Sequence, residues 1–343
     1  MAPAPATTIT ATEPEIAALA AKALVAHGAS AGQADALARA IAAAEADGMR
    51  SHGLMYLPIY CGHLDVGKVI GNAEPAVTRP APGVVRVDAG SGFAHAAIAA
   101  GMPALIEAAR SQGIATMTLT NSYNCGVLGF HTEAVACAGL VALGFTNAPA
   151  SIAPWGAKKP VLGTNPWSLA VPDGKGAAAF VIDQSASVVA KSEVMKRAKS
   201  GEPLPAGWAL DPDGKPTTDA QVALKGTMAP SGGYKGVGGA ILVEVMAACL
   251  AGATPGIEAS TFGTNAGGPP KTGQCFIAIN PDATSGGAFG ARMATVLAAL
   301  TAEDGARLPG AKKAAARAAS KRDGITIDRA MYDAGVGLAE SKS

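Results

Sequence analysis

The chain has 343 residues, 49% of them hydrophobic but only 4% aromatic, so a large core with more than one lobe must be built from Ala, Val, Leu and Ile. A formal net charge of +1 without a basic block excludes an electrostatic nucleic-acid surface, and no apolar run is long enough to span a bilayer. The start, MAPAPATTITATEPE, has neither region of a signal peptide, and five scattered cysteines without C-x-x-C spacing argue against zinc and against a disulfide framework, so a reduced, cytoplasmic protein is expected.

Residues 1–11 read as a loose arm. Thr12 to Glu15 form a T-x-x-E capping box, after which Ile16, Leu19, Ala20, Ala23 and Leu24 recur at helical spacing until Gly28. His27, in the last turn, reads as a surface residue that complements the helix dipole. An alanine-rich second helix is expected over 31–46. Just past it come Ser51-His52-Gly53, then Tyr56 and Tyr60, while His63 reads as a solvated helix residue. A strand over 84–88 leads through Gly90-Ser91-Gly92 to a helix over 95–112. The third glycine of a dinucleotide fingerprint is missing, so the Rossmann signal is weak, and His95 reads as a helix residue without a chemical role.

After a strand at 116–119, the stretch 121–172 alternates polar turns with apolar runs. The turns are Asn121 to Gly126, Thr146-Asn147, Pro154-Trp155-Gly156 and Gly163-Thr164-Asn165-Pro166, with a short helix over 131–139 and a buried strand over 140–145 between them. Glycine, asparagine and threonine in such density let backbone approach a ligand, which marks a ligand-lining segment. A strand over 178–182 ends at Asp183, an acid that either caps the next element or orients a catalytic base. The charges of a helix over 188–199 read as solvated. Residues 201–226 are a polar excursion whose D-P-D-G lacks the closing glutamate of a calcium loop, so no metal is expected. Gly232-Gly233 before a helix with Lys235 suits an anionic group without P-loop spacing, and Glu244 either packs or titrates. A Gly/Pro loop over 263–273, a strand over 275–280, a helix over 287–302, the Arg307-Leu308-Pro309-Gly310 turn and a solvated Lys/Arg-rich helix over 311–321 complete the chain, which 325–339 closes.

Together these pieces resemble the malate/L-lactate/L-sulfolactate dehydrogenase family, which includes ureidoglycolate dehydrogenase and the cyclic imino-acid reductases and is distinct from the Rossmann-fold lactate dehydrogenases. Its N-S-x-H-x-G, T-N, A-P-x-G-G and L-G-T-N-P pattern is matched by Asn121-Ser122, Gly126, Thr146-Asn147, Ala153-Pro154-Trp155-Gly156 and Leu162 to Pro166. Ser51, His52 and Tyr60 match S-H-G-x-x-R-x-P-x-Y, Asp183 and Ser187 match D-x-x-x-S, and Arg307 to Gly310 match R-x-P-G. In two departures, Asn124 stands at the family's histidine and Tyr56 at its substrate-binding arginine, which removes a bidentate carboxylate clamp.

The resemblance implies an α/β fold with a mixed central sheet and helices on both sides. A mainly helical lobe (1–75 and 285–343) would stand beside a cofactor-binding lobe (76–284). It implies a homodimer and NAD or NADP, with nothing in the sequence to choose between them, and no metal, nucleic acid or membrane. Ser51, His52 and Asp183 are then catalytic, and Tyr60, Tyr56 and Asn124 meet the substrate. Asn121, Ser122, Gly126, Thr146, Asn147, Gly163, Thr164, Asn165, Ser187 and Lys235 serve the cofactor.

Hydride transfer needs a proton donor at the reacting heteroatom, and His52, with Asp183 as orienting acid, is the best candidate. A hydrolase is disfavoured because Ser51 and His52 are adjacent and no G-x-S-x-G elbow exists. The expected activity interconverts a small 2-oxoacid and a 2-hydroxyacid. The alternatives are reduction of a cyclic imino acid and a non-catalytic member of the family.

Overall fold

The computed structural model describes residues 7–341, so residues 1–6 of the expected arm lie outside it. The chain runs through β1 (Thr8–Ala11), α1 (Glu13–Ala26), α2 (Ala31–Ala46), two 3-10 turns (Arg50–His52 and Leu54–Tyr56) and α3 (Leu57–Asp65). The middle comprises β2 (Ala76–Ala81), β3 (Val84–Asp88), α4 (Ala94–Gln112), β4 (Ile114–Ser122), α5 (Leu128–Cys137), β5 (Val141–Thr146), β6 (Trp167–Pro172) and β7 (Ala178–Gln184). The polar excursion carries α6 (Lys191–Ser200), β8 (Ala209–Leu210), β9 (Pro216–Thr217), α7 (Ala220–Ala223) and β10 (Thr227–Met228). Next, α8 (Tyr234–Glu244) continues into a π-helical turn (Val245–Cys249), and β11 (Thr272–Ile279) follows. The chain closes with α9 (Pro281–Ser285), α10 (Phe289–Leu300), α11 (Ala311–Asp323), β12 (Ile325–Asp328) and α12 (Arg329–Glu340).

Seven strands form one mixed sheet in the order β2-β3-β4-β11-β5-β6-β7, in which only the β3–β4 pair is parallel. That pair needs a crossover, and α4 supplies it. Val85, Val87, Met117, Leu119 and Phe276 meet Ile98 and Leu105 of α4 in the core beneath it. Because β11 inserts between β4 and β5, the two turns that leave those strands lie side by side. Gln274 of β11 ties them together, its Nε2 donating to Tyr123 O at 3.0 Å and to Thr146 Oγ1 at 3.2 Å.

The two chain ends share a second core, with Ile16, Leu24, Leu37, Leu54, Ile325 and Ile327 in one cluster that also takes in Phe93 and Tyr123. The Thr12 capping box is present, with Thr12 N donating to Glu15 Oε2 at 2.7 Å and Glu15 N to Thr12 Oγ1 at 3.4 Å. Residues 8–11 are not a loose arm: β1 pairs antiparallel with β12. Nor is α11 simply solvated. Arg317 binds Asp47 through Nε at 2.7 Å and Glu133 through an Nη at 2.6 Å, a fork that fixes this C-terminal helix to α2 and α5.

Candidate active site

His52 ends the 3-10 turn that follows α2. Glu45, buried near the end of α2, accepts the Leu54 amide on Oε1 at 2.7 Å. A Cβ on Gly53 would fall 2.1 Å from that oxygen, so a larger residue would push the carboxylate out from under the S-H-G turn. Burial pushes the Glu45 carboxyl up, against the Leu54 hydrogen bond and the Arg50 charge. Ser51 Oγ lies 2.9 Å from His52 Nδ1, which leaves Nε2 for a substrate.

Asp183 is the penultimate residue of β7 and is half-buried. Its Oδ2 accepts the Gly129 amide from the first turn of α5 at 2.8 Å, and Lys313 Nζ of α11 stands 3.8 Å from the same oxygen. Burial lowers the His52 pKa most, Asp183 pulls it back up, and Lys313 lowers it again. Asp183 thus acts on His52 through space, while Ser51 is the hydrogen-bonded neighbour of the ring.

An aromatic wall runs beside this pair. The Tyr56 and Tyr60 rings are 4.8 Å apart, Tyr60 meets Phe93 at 5.7 Å, and Tyr123 meets Phe262 at 5.2 Å. Burial pushes the Tyr56 hydroxyl up to about 12, so it is neutral at pH 7. Buried Tyr60 donates its hydroxyl to Asn124 Oδ1 at 3.1 Å, and the Gly126 amide donates to the same oxygen at 3.3 Å. Asn124 therefore holds the turn in shape with the oxygen of its amide.

His63 is not solvated. It is buried, its Nδ1 accepts the Tyr123 hydroxyl, and its Nε2 donates to Thr264 O at 3.1 Å. Buried Lys68 donates to Thr264 O at 2.9 Å and Ala266 O at 2.6 Å, so the Gly/Pro loop is pinned over the wall. His95 lies against the turn too: a Cβ on Gly126 would come 3.0 Å from its Nε2, and neither ring nitrogen has a partner among the described residues.

The polar side chains expected to serve a cofactor are mostly engaged within the fold. Asn121, at φ 49, donates to both Asp88 carboxylate oxygens at 3.1 Å. Asn147 donates to Thr254 O at 3.0 Å and accepts the Gly273 amide at 2.8 Å. Fully buried Asn165, at φ 39, donates to Glu244 Oε2 at 2.7 Å and Ala240 O at 2.9 Å. Ser122, Thr146 and Ser187 donate their hydroxyls to backbone carbonyls. Gly163 is packed so tightly that a Cβ would lie 2.2 Å from Ala148 O.

What remains for a ligand is the carbonyl of Gly126 (φ 64), whose amide Asn124 holds, half-buried Thr164 and exposed Lys235. The Asn124–Gly126 turn runs into the N-terminus of α5, where the Gly129 amide already meets the carboxylate of Asp183. A nicotinamide cofactor fits this set of main-chain groups, hydroxyl and ammonium. Among the described residues no group of acids, histidines and cysteines is arranged to hold a metal ion, and no helix is long and apolar enough to cross a membrane.

Two residues with a part in this arrangement escaped sequence reasoning. Glu45 carried one signal, an acid inside an alanine-only helix end. Lys313 carried none, because its contact comes from an element far away in the chain, and the partners of Glu244, Asn165 and Gly256, were likewise not legible.

A family model described as malate/L-lactate dehydrogenase matches residues 12–334. The chain is 40% identical over 315 residues to a (2R)-3-sulfolactate dehydrogenase (NADP(+)) of Chromohalobacter salexigens, covering 92% of this chain and 93% of that one. It is 39% identical over 321 residues to a Delta(1)-pyrroline-2-carboxylate/Delta(1)-piperideine-2-carboxylate reductase of Pseudomonas aeruginosa, covering 93% and 96%. The crystal structure of a delta1-piperideine-2-carboxylate reductase from Pseudomonas syringae superposes with a TM-score of 0.91 at 36% identity, covering 96% of this chain and 100% of that one. The chain belongs to the malate/L-lactate dehydrogenase family and is a nicotinamide-dependent dehydrogenase or reductase.

Proposed function

We propose that the enzyme interconverts a small 2-oxoacid and its 2-hydroxyacid, and that it takes substrates with one carboxylate and an apolar tail. The arrangement that supports this is His52, steadied by Ser51 and in the field of Asp183, next to a wall of tyrosines. The cofactor, when bound, supplies or receives the hydride. His52 moves the proton at the reacting oxygen, giving it in reduction and taking it in oxidation. Burial favours the neutral ring, which suits proton uptake from a hydroxyacid, and Asp183 keeps the protonated ring within reach.

Tyr56 offers a neutral hydroxyl where the family's arginine would fork a second carboxylate. A monoacid is therefore expected to exceed oxaloacetate in kcat/KM by about 10–100-fold, the worth of one hydrogen bond to a charged group. Steady-state comparison of oxaloacetate with a monoacid of similar size checks this. Strong preference for the diacid would overturn it and assign a lysine to the second carboxylate.

The second reading, reduction of the C=N bond of a cyclic imino acid, draws support from the reductases among the relatives. It needs the same proton transfer, now to nitrogen, so the two readings separate only by substrate. NADP is the favoured cofactor, since the sulfolactate dehydrogenase relative carries it in its name. Five scattered cysteines without C-x-x-C spacing suit a cytoplasmic setting.

A homodimer is the expected assembly. Tyr234, Ile241 and Leu242 of α8 and Val245 at the start of its π-helical turn stand exposed at helical spacing, an apolar stripe that a second copy would cover. Ile241→Glu should halve the mass seen by analytical ultracentrifugation. An unchanged dimer mass would move the interface elsewhere.

A further inference from the structure

Asp183 receives neighbours from three parts of the chain. Gly129 at the start of α5 donates its amide, His52 lies within its field, and Lys313 reaches it from α11. Resting on the proton-transfer role given above to His52, we propose that Lys313 is a positioning residue of the reaction. Its ammonium, 3.8 Å from Asp183 Oδ2, steadies that carboxylate and offsets part of its charge, which keeps the proton of His52 exchangeable.

The direction follows from Coulomb's law. Lys313 disfavours the protonated His52 ring, whereas Asp183 favours it. Without Lys313 the carboxylate acts on His52 unopposed, and the ring holds its proton to higher pH. The alkaline limb of the reduction, where His52 must carry a proton, then moves up in pH. The acidic limb of the oxidation, where His52 must be neutral, moves up as well.

The other groups near this pair stay in place. Around His52 they are Ser51, the buried Glu45 with Arg50, and His95 from α4, which senses the His52 charge, while buried Cys125 senses that of Asp183. Around Lys313 they are Asp183 and, four residues on, Arg317, whose charge Asp47 and Glu133 already meet. Arg317 also makes a substitution of Lys313 practical, because it binds α11 to α2 and α5 by itself. The turn before α11 is a second anchor, since a Cβ on Gly310 would lie 3.2 Å from Val181 O of β7.

The test compares pH profiles of kcat/KM for the unaltered enzyme, Lys313→Met and Lys313→Arg, alongside an NMR titration of the His52 ring in each. The ring titration keeps the idea testable if Lys313→Met turns over too slowly to profile. The expected result is an upward shift of profile and ring titration in Lys313→Met, restored by Lys313→Arg. A profile and titration that superimpose on those of the unaltered enzyme, or shift down, overturn the proposal. His52→Ala separates the two ideas. Activity retained there removes the relay altogether, whereas an inactive His52→Ala beside an unshifted Lys313→Met removes Lys313 alone.

Discussion

Replacing His52 with alanine is expected to lower turnover about 10²–10⁴-fold, the usual cost of losing a general acid or base. That range corresponds to roughly 3–5 kcal/mol in the barrier. Cofactor affinity should stay nearly unchanged, because the groups left for a cofactor belong to the Asn124–Gly126 turn, the Thr164 turn and the Gly233–Lys235 entry to α8, and none of these bonds to His52. Ser51 and Asp183 remain in the mutant, yet a serine hydroxyl is a poor general acid or base at neutral pH, and Asp183 Oδ2 is already bound by Gly129. Fluorescence quenching by reduced cofactor and steady-state rates on the same preparation separate binding from chemistry. Near-native turnover would take His52 out of the mechanism.

Glu244→Leu is expected to cost roughly 3–5 kcal/mol of stability and to weaken cofactor binding. The carboxylate accepts the Gly256 amide at 2.6 Å and Asn165 Nδ2 at 2.7 Å, with Asn147 Nδ2 at 3.5 Å as a weaker third. Hydrogen bonds to a charged group contribute about 1.5–3 kcal/mol each, and a leucine leaves both strong donors unmatched. Asn165 has no room to adapt: it is fully buried, sits at φ 39, and also accepts the Ala148 amide at 3.2 Å. The turns after β5 and before β6 should therefore loosen together. Glu244→Gln, which keeps one acceptor, should fall between the two. Denaturant midpoints and cofactor titrations report both effects; a Leu variant as stable as the parent and binding cofactor equally well would show that the carboxylate is not what joins these turns.

Local signals made much of the fold readable. The T-x-x-E box, the alanine-rich helix at 31–46 and the β-branched strand at 84–88 depend on neighbours in sequence, and the structure contains all three. Pairings between distant segments were not readable. The four residues of β1 pair only with β12, at the far end of the chain, and an alternation as short as that of Ile325–Asp328 does not announce a strand by itself.

The site divides in the same way. Ser51, His52 and Asp183 stood out as chemistry-bearing types at element ends, and the fold brings Asp183 within electrostatic reach of His52. Asn147 and Asn165 stood out equally, yet their amides bind backbone and Glu244. An asparagine in a turn looks the same in sequence whether it faces a ligand or locks a loop. His63 and Lys313 show the reverse error: a charged or polar residue on a helix reads as solvated until another segment is known to cover it, as the Gly/Pro loop covers His63.

This chain is a working nicotinamide-dependent enzyme despite Asn124 and Tyr56. Turnover tests this most directly. The purified protein is supplied with NADPH or NADH and, in turn, a 2-oxo monoacid, oxaloacetate and a cyclic imino acid, and consumption of reduced cofactor is followed. Substrate-dependent oxidation of at least one cofactor by the monoacid or the cyclic imino acid is expected, and is expected to be lost in His52→Ala. Cofactor binding without turnover of any of the three substrates would contradict it and leave a member of the family that binds but does not catalyse.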